Sequence, residues 1–532
     1  LPILDNIEYG GKVNRFVRHR VTRRDDSYVT MYVMDKYGML TREKWSEYDL
    51  IQTNAAAEIP QILKYNKVTY GLDGDVLTIA STWCEKHFHC SINSVELEGD
   101  DYIFNLMEKN ASVGYPFNLL EHKKKKTAIL DKEIRRICFD YNDRIEKEPT
   151  AVFWAVHEKE EIRDSMKVAL NRLRVFVGSG IDFLFASICM FFDMNERMYS
   201  AAANFQNWSY VGATQFYGGW HRLYKRLKKH PNAFELDETD YDCSISRILL
   251  TCIRDLRKRF LHADPVQQQK IDNLYIEIIY SIMVLAYGEI LVKEGGNPSG
   301  SFNTITDNSL VLYVLLAYAW IILAPQSMRT YEQFHAHVEA VLCGDDNTWT
   351  VSNEAVVFFN AQSVAFIWTN LGITTKSDCW EARKLEDCNF VSNAFHMVKH
   401  PLTGLDWCVP RPSYEKIMAS LAYHSKGNVR WTLLRAAALR IQSYFNLQCR
   451  VQLLDVIDYL QKNYLLELQM PCNVDDPQDF LSYEDVMSVL KTDVEIEMLY
   501  FGDVVEGVVW NSQACRVLSY VGLTLKGLPY KK

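Results

Sequence analysis

Apolar residues recur at intervals of three and four across 431–447 and 451–468, the period of amphipathic helices, and the chain from Arg411 onward reads as a separate helical subdomain. Similar spacing predicts helices at 249–261, 271–285 and 358–371. The stretch 309–324 is almost wholly apolar yet shorter than the roughly 20 residues that span a bilayer, so it predicts a buried core helix. Elsewhere the period shortens to two. Residues 28–33 alternate and predict a strand, within a first segment to about residue 110 that reads as strands and loops. Arg172-Leu173-Arg174-Val175-Phe176 also alternates, which on a strand puts both arginines on one face. Two apolar runs, 338–343 and 347–351, flank Gly344-Asp345-Asp346 and predict a tight β-hairpin with that tripeptide at its turn. The apolar lead-in to Asp237 reads as a buried strand, 372–376 as a turn into an extended segment, and 389–395 as a strand of a small hairpin.

Composition narrows the picture. With 532 residues, 48% hydrophobic and 23% charged, the chain is ordinary globular material, enough for several packed subdomains of one enzyme. A net charge of -9 argues against a wholly basic nucleic-acid coat, while a local basic channel stays compatible with it. Thirteen cysteines in no repeated spacing read as reduced thiols, and the sequons at Asn110 and Asn207 are discounted accordingly. Cys84, His87, His89 and Cys90 crowd into seven positions without a second pair, so zinc is not expected. The chain begins at Leu1 with no visible signal peptide, as a segment cut from a longer precursor or a trimmed chain would.

The acids carry the chemistry. Asp345 and Asp346 repel one another between apolar runs, so a cation partner is expected, and hard carboxylate oxygens suit Mg²⁺ or Mn²⁺. Asp237, ending its own strand, brings a third acid from a second strand, the set that two-metal phosphoryl transfer needs. Asp242 lies five positions on, placed to meet a ribose hydroxyl, and Asp240 reads as solvated. After the Gly295–Gly300 turn, Thr304 and Asn308 stand one helical turn apart, fit either for sugar recognition or for capping a core helix. Arg172 and Arg174 suit clamping a triphosphate, or are simply surface arginines. The basic stretch 15–24 and the lysines 123–126 are either solvated faces or phosphate contacts. Lys376 is either solvated or a proton donor to a leaving pyrophosphate.

Taken in order, these blocks resemble the viral RNA-dependent RNA polymerases. Lys159 to Phe176 is similar to that family's motif F, Asp237 to Asp242 to motif A, Gly295 to Asn308 to motif B and Cys343 to Asp346 to motif C. Gly372 to Lys376 is similar to motif D and Asn389 to Phe395 to motif E. The picornavirus-like supergroup fits best: Gly-Asn-Pro-Ser-Gly is similar to astroviruses, and Tyr115-Pro116 and Gly178-Ser179 to caliciviruses and picornaviruses.

The resemblance implies an α+β fold, a closed right-hand polymerase with fingers, a palm of antiparallel sheet with helices, and a helical thumb. It implies fingers and fingertips at 1–182, palm at 183–265, a fingers insertion at 266–294, palm at 295–398 and thumb at 399–532. Asp237, Asp345 and Asp346 would bind two Mg²⁺ or Mn²⁺ ions, and Lys376 would assist catalysis. Asp242, Ser299, Thr304 and Asn308 would sense the ribose, and Lys159, Arg172 and Arg174 would hold the triphosphate. Cys343 departs from the tyrosine often found there, which implies altered packing near the primer end. The implied partners are RNA template, nascent RNA, ribonucleoside triphosphates and other viral replication proteins. The implied place is the host cytoplasm, at virus-induced membranes reached through other proteins, where the enzyme replicates a positive-strand genome. Two rivals stay open: a reverse transcriptase-like polymerase, and a catalytically inactive RNA-binding scaffold of a replication complex.

Overall fold

Thr304–Leu323 is the axis of the molecule, a 20-residue helix whose side chains from Thr306 to Ile321 are all buried. It is long and apolar enough to cross a membrane, yet 89% of it lies inside the protein, packed against helices Gly74–His87 and Arg247–Leu261. The computed structural model describes residues 5–13, 24–38, 48–51, 57–67, 69, 71–120, 122–424, 427–471, 480–502 and 510–525. Of the basic stretch 15–24, only Arg24 falls among them.

One polar group interrupts this core. Asp307, on the axial helix, is paired with Arg257 at 2.7 Å, and both side chains are 0% exposed. Tyr275 donates to the other carboxylate oxygen at 2.9 Å and Arg257 donates to Asn195 at 3.1 Å. The network thereby fastens Ile181–Ala203, Arg247–Leu261 and Pro265–Ile279 to the axial helix. Charges so buried hold their place because each is paired and hydrogen-bonded.

Beside the axial helix, Val338–Cys343 pairs antiparallel with Asp346–Val351, in register from Val338 opposite Val351 to Cys343 opposite Asp346. Asn232–Phe234 adds a third strand, and Asp237–Glu238 pairs with Thr375–Lys376 so that Lys376 stands opposite Asp237. The predicted single strand at 389–395 is two, Asn389–Phe390 and Asn393–Lys399, because Val391 and Ser392 take left-handed φ of 43° and 65° and turn the chain back.

A second sheet carries the order Ile7–Lys12, Glu289–Lys293, Ile282–Val284, Phe153–Glu158, Val175–Gly178. It corrects the helix expected at 271–285. The helix is Pro265–Ile279, started by a capping box of Asp264 and Gln267, and Ile282–Val284 is a strand. A short buried strand and a helix turn share the same unbroken apolar pattern, so periodicity does not separate them. The alternating run 28–33 is likewise helix, Ser27–Tyr37: Asp26 caps it, accepting from the amides of Tyr28 and Val29 at 2.9 and 3.0 Å. Val29, Tyr32 and Val33 form its buried face, against helices Tyr414–Ala422, Val429–Gln442 and Leu447–Asn463. Expected helices at 431–447, 451–468 and 358–371 are present with shifted ends, as Val429–Gln442, then Leu447–Asn463 with Leu465–Gln469, and Ala361–Asn370.

Two short ladders join this helical region to the rest. Tyr423–His424 pairs with Arg24–Asp25, and Tyr48–Leu50 pairs with Ile162–Asp164, while the Tyr423 hydroxyl donates to Asp49 at 2.7 Å. His87 stacks on His335 at 4.7 Å and accepts from the Trp208 amide at 3.0 Å, which packs its ring among aromatic side chains.

Removing one member of the buried pair tests this core. Asp307→Ala should cost about 3–5 kcal/mol, read by urea unfolding, because it strands the Arg257 guanidinium. Arg257→Met combined with Asp307→Leu should cost less than either single change.

Candidate active site

The hairpin turn is held from below. Gly344 takes φ +67°, which a side chain rarely adopts, and its amide donates to the Ser309 hydroxyl of the axial helix at 2.9 Å. Asp345 and Asp346 therefore project from the turn into a cleft of about 270 Å³, shared with Glu235, Asp237, Lys376 and Ser392. Desolvation by the cleft walls and the charge of Asp345 push Asp346 up to about 6, against relief from Lys416. The same two causes raise Asp237, opposed by Lys376 and Lys167. Below them, burial holds Glu238 well above the carboxylate range. The Asn347 side-chain amide donates to Leu236 O at 2.9 Å, Glu238 at 3.1 Å and Asp345 O at 3.1 Å, tying the two acid-bearing strands together. Glu238 and Asn347 escaped sequence reasoning, although each adjoins a residue it singled out.

Next to the acids, Asp242 is held by an amide of the axial helix. Asp242 lies on the short helix Tyr241–Ser244 and accepts from the Asn308 amide at 2.5 Å. Burial raises Asp242 to about 6, the Asn308 bond lowers it, Asp345 raises it, and Lys159 and Arg174 lower it. Asp240, expected to be solvated, instead pairs with Lys64 at 2.8 Å. Thr304 and Ser299 hold the loop: the Thr304 hydroxyl donates to Pro298 O at 2.7 Å, and the Ser299 hydroxyl accepts from the Val177 amide at 3.3 Å.

The cations come from the second sheet. Lys159 and Arg174 are adjacent through a Lys159 N–H to Arg174 O bond of 2.8 Å, and each senses the charges of Asp242 and Asp345. Glu161, buried, grips Arg174 through Nε at 2.8 Å and stands 3.4 Å from Arg163, whose charge also faces Asp240. The strand expected from Arg172 begins only at Val175. Asn171, at φ 49°, turns the chain just before it, and the Arg172 side chain is exposed on that turn. The structure thus brings Arg174 and Lys159 to the acids, with Arg163 beside them, and gives Arg172 no such contact; its carbonyl instead accepts from Arg163 at 2.5 Å. Cys343 is a neutral thiol, pushed up to about 12 by burial and the neighbouring aspartates, beside Tyr210.

A sequence profile described as "Viral RNA-dependent RNA polymerase" matches residues 5–456. The chain belongs to that family. The polymerase is 30% identical over 295 residues to genome polyprotein 1 of Barley mild mosaic virus (strain Na1), covering 55% of this chain and 12% of that polyprotein. It is 26% identical over 391 residues to the genome polyprotein of Zucchini yellow mosaic virus (strain Singapore), covering 72% and 12%. The polymerase thus spans a small fraction of the length of these relatives. A Sicinivirus 3Dpol RNA dependent RNA polymerase shares the fold, with a TM-score of 0.67 at 15% identity over 90% of this chain and 96% of that one. The sequence relatives are thus potyvirus-like polyproteins and the structural neighbour is a picornavirus-like polymerase.

The arginine geometry makes a direct prediction. Arg174→Ala should raise the apparent KM for nucleoside triphosphates roughly tenfold, the loss of a bond to a charged group, whereas Arg172→Ala should change it by less than about twofold, both read by steady-state incorporation.

Proposed function

We propose that the polymerase extends an RNA 3′ end on an RNA template, using ribonucleoside triphosphates, in replication of a positive-strand viral genome. The observation that carries this is the shared cleft of Asp237, Asp345 and Asp346, with Lys159 and Arg174 on one side and the Asp242–Asn308 pair on another. The acids supply only hard oxygen donors, and the charge of Asp345 raises the pKa of both Asp237 and Asp346, so the set suits a divalent cation. Among the described residues no three acid, imidazole or thiol groups stand in an arrangement that could hold a metal ion, so these aspartates would have to draw together around it. Polymerases of this family generally use divalent metal ions. Two Mg²⁺ or Mn²⁺ ions held by Asp237, Asp345 and Asp346 would supply activation of the attacking hydroxyl and charge neutralisation at the leaving pyrophosphate.

The chain's own groups do the rest. Lys159 and Arg174, the latter locked by Glu161, bind and orient the triphosphate. Lys376, whose backbone faces Asp237 and whose ammonium is exposed, gives a proton to the departing pyrophosphate oxygen. Asp242 and Asn308 meet the ribose hydroxyls, which favours RNA precursors and speaks against a reverse transcriptase-like reading. A second cavity of about 500 Å³ adjoins the cleft at Asn389 and presents His396, Arg411 and Asn446, a polar path for the nascent strand. We assign fingers, palm and thumb to the ranges given above, noting that Ser27–Tyr37 packs with the thumb helices. Other viral replication proteins would bring the enzyme to membranes in the host cytoplasm.

Primer extension is the test. Asp237→Ala and Asp345→Ala should each lower incorporation on the order of a thousandfold, because each removes metal-binding oxygens. Near-normal incorporation by either would sink the assignment. Millimolar Mn²⁺ should raise the Tm of the wild type and not of Asp345→Ala. Without metal, Asp345→Ala should melt no lower than wild type, because a repelling charge is gone.

Sugar choice is read separately, as the ratio of kcat/KM for a matched ribo and deoxy pair. Asn308→Ala should shrink that ratio roughly fivefold or more, since only the ribonucleotide loses a partner.

A further inference from the structure

Asn297, in the loop between Glu289–Lys293 and the axial helix, is 0% exposed and lies outside the reach of any cleft described above. Its side-chain amide donates to the Asn308 carbonyl oxygen at 2.9 Å, and Asn308 in turn donates to Asp242 at 2.5 Å. The order of donors matters. An amide reversed end for end keeps its shape, so packing alone does not choose which end of Asn308 faces Asp242. Reversal would set the Asn308 oxygen against the Asp242 carboxylate and its NH₂ against the NH₂ of Asn297. Asp242 and the Asn297 donor therefore select the productive end together, Asn297 fixing the amide from the side away from the carboxylate.

A second observation concerns the other half of Asn297. Its Oδ1 is buried and has no hydrogen-bond partner. An unsatisfied buried acceptor destabilises the fold, and an apolar side chain of similar volume would avoid that cost. The residue's NH₂ end accounts for an amide here: it donates to Asn308 Oδ1 at 2.9 Å and, more weakly, to Thr304 O at 3.5 Å, the second bond fixing which way Asn297 itself points.

The loop is also built so that Asn297 stays in place. The Asn297 amide N donates to Asp242 O at 2.8 Å, and Gly296 N donates to Ile245 O at 2.6 Å. Lys293, fully buried, donates from beneath to Ile278 O at 2.7 Å and to Gly295 O and Gly296 O at 2.8 Å each. Gly295 and Gly296 have φ of +81° and +70°, and a Cβ on Gly296 would come within 2.3 Å of the Tyr65 ring. The loop is pinned on three sides.

We infer that Asn297 is a positioning residue for ribose selection, acting through the orientation of the Asn308 amide without touching the nucleotide. The inference rests on the reading of Asp242 and Asn308 as the ribose sensor.

The experiment measures the ribo-to-deoxy ratio of kcat/KM in four proteins: wild type, Asn297→Leu, Asn308→Ala and the double variant. Asn297→Leu should lower the ratio roughly fivefold, with the loss appearing as a higher KM for the ribonucleotide. In the Asn308→Ala background it should add less than about twofold, because there is no Asn308 amide left to orient. Equal effects in both backgrounds, or an unchanged ratio in Asn297→Leu alone, would overturn the inference. An unchanged ratio in Asn308→Ala would overturn the sugar-sensing reading itself and the inference with it. Thermal melting of each protein identifies a variant that fails to fold, and Asn297→Ala, which only removes atoms, then takes the place of Asn297→Leu with the same expected ratios.

Discussion

Like-charge repulsion among Asp237, Asp345 and Asp346 is the constraint around which the molecule is built. Left free, two adjacent turns bearing these acids would separate. They are held because the strands that carry them are anchored in core: Phe234 and Trp349 stack at 4.7 Å beneath the ladder, and Ser309 of the axial helix ties down the turn amide. Asn347 then laces one acid strand to the other through Leu236 and Glu238. Packing supplies what electrostatics opposes, which is why an almost wholly apolar helix runs directly under the Asp345–Asp346 turn.

Lys159 and Arg174 adjoin strands of the second sheet, whereas Asn297 lies in a loop and Asn308 on the axial helix, yet the two groups are mechanically joined. Val177 lies in the strand that follows Arg174, and it exchanges bonds with Ser299 and Gly300 of the loop bearing Asn297. A shift of the cationic strand is therefore transmitted to the loop that orients Asn308. The cationic strand and the amide-bearing loop are one bonded arrangement rather than two independent ones.

The acidic hairpin was legible in the sequence because turn chemistry is local: a glycine with two apolar runs at the right spacing leaves little choice. Asp237 was legible for the same reason, at the end of an apolar strand. The misread pieces share another cause. The helix at Ser27–Tyr37 shows six alternating residues, and its deciding features are the Asp26 cap and a partner surface hundreds of positions away. The strand at Ile282–Val284 is buried on a sheet, so its pattern carries no period. The strand expected from Arg172 starts three positions later because one turn residue, Asn171, redirects the chain just before it. Asn297 was quoted only as part of a motif, since its role depends on which end of another amide it meets.

The chain also crosses between its two largest lobes more than once. Ser27–Tyr37 is packed among the C-terminal helices, while Tyr48–Leu50 is already paired with Ile162–Asp164 in the other lobe, and Tyr423 closes the seam on Asp49. The two lobes are thus tied by short ladders and one hydroxyl–carboxylate bond between residues hundreds of positions apart. Its consequence is topological. Neither lobe hinges away from the other without breaking backbone ladder bonds, so the acids and the cations keep their spacing as the lobes move.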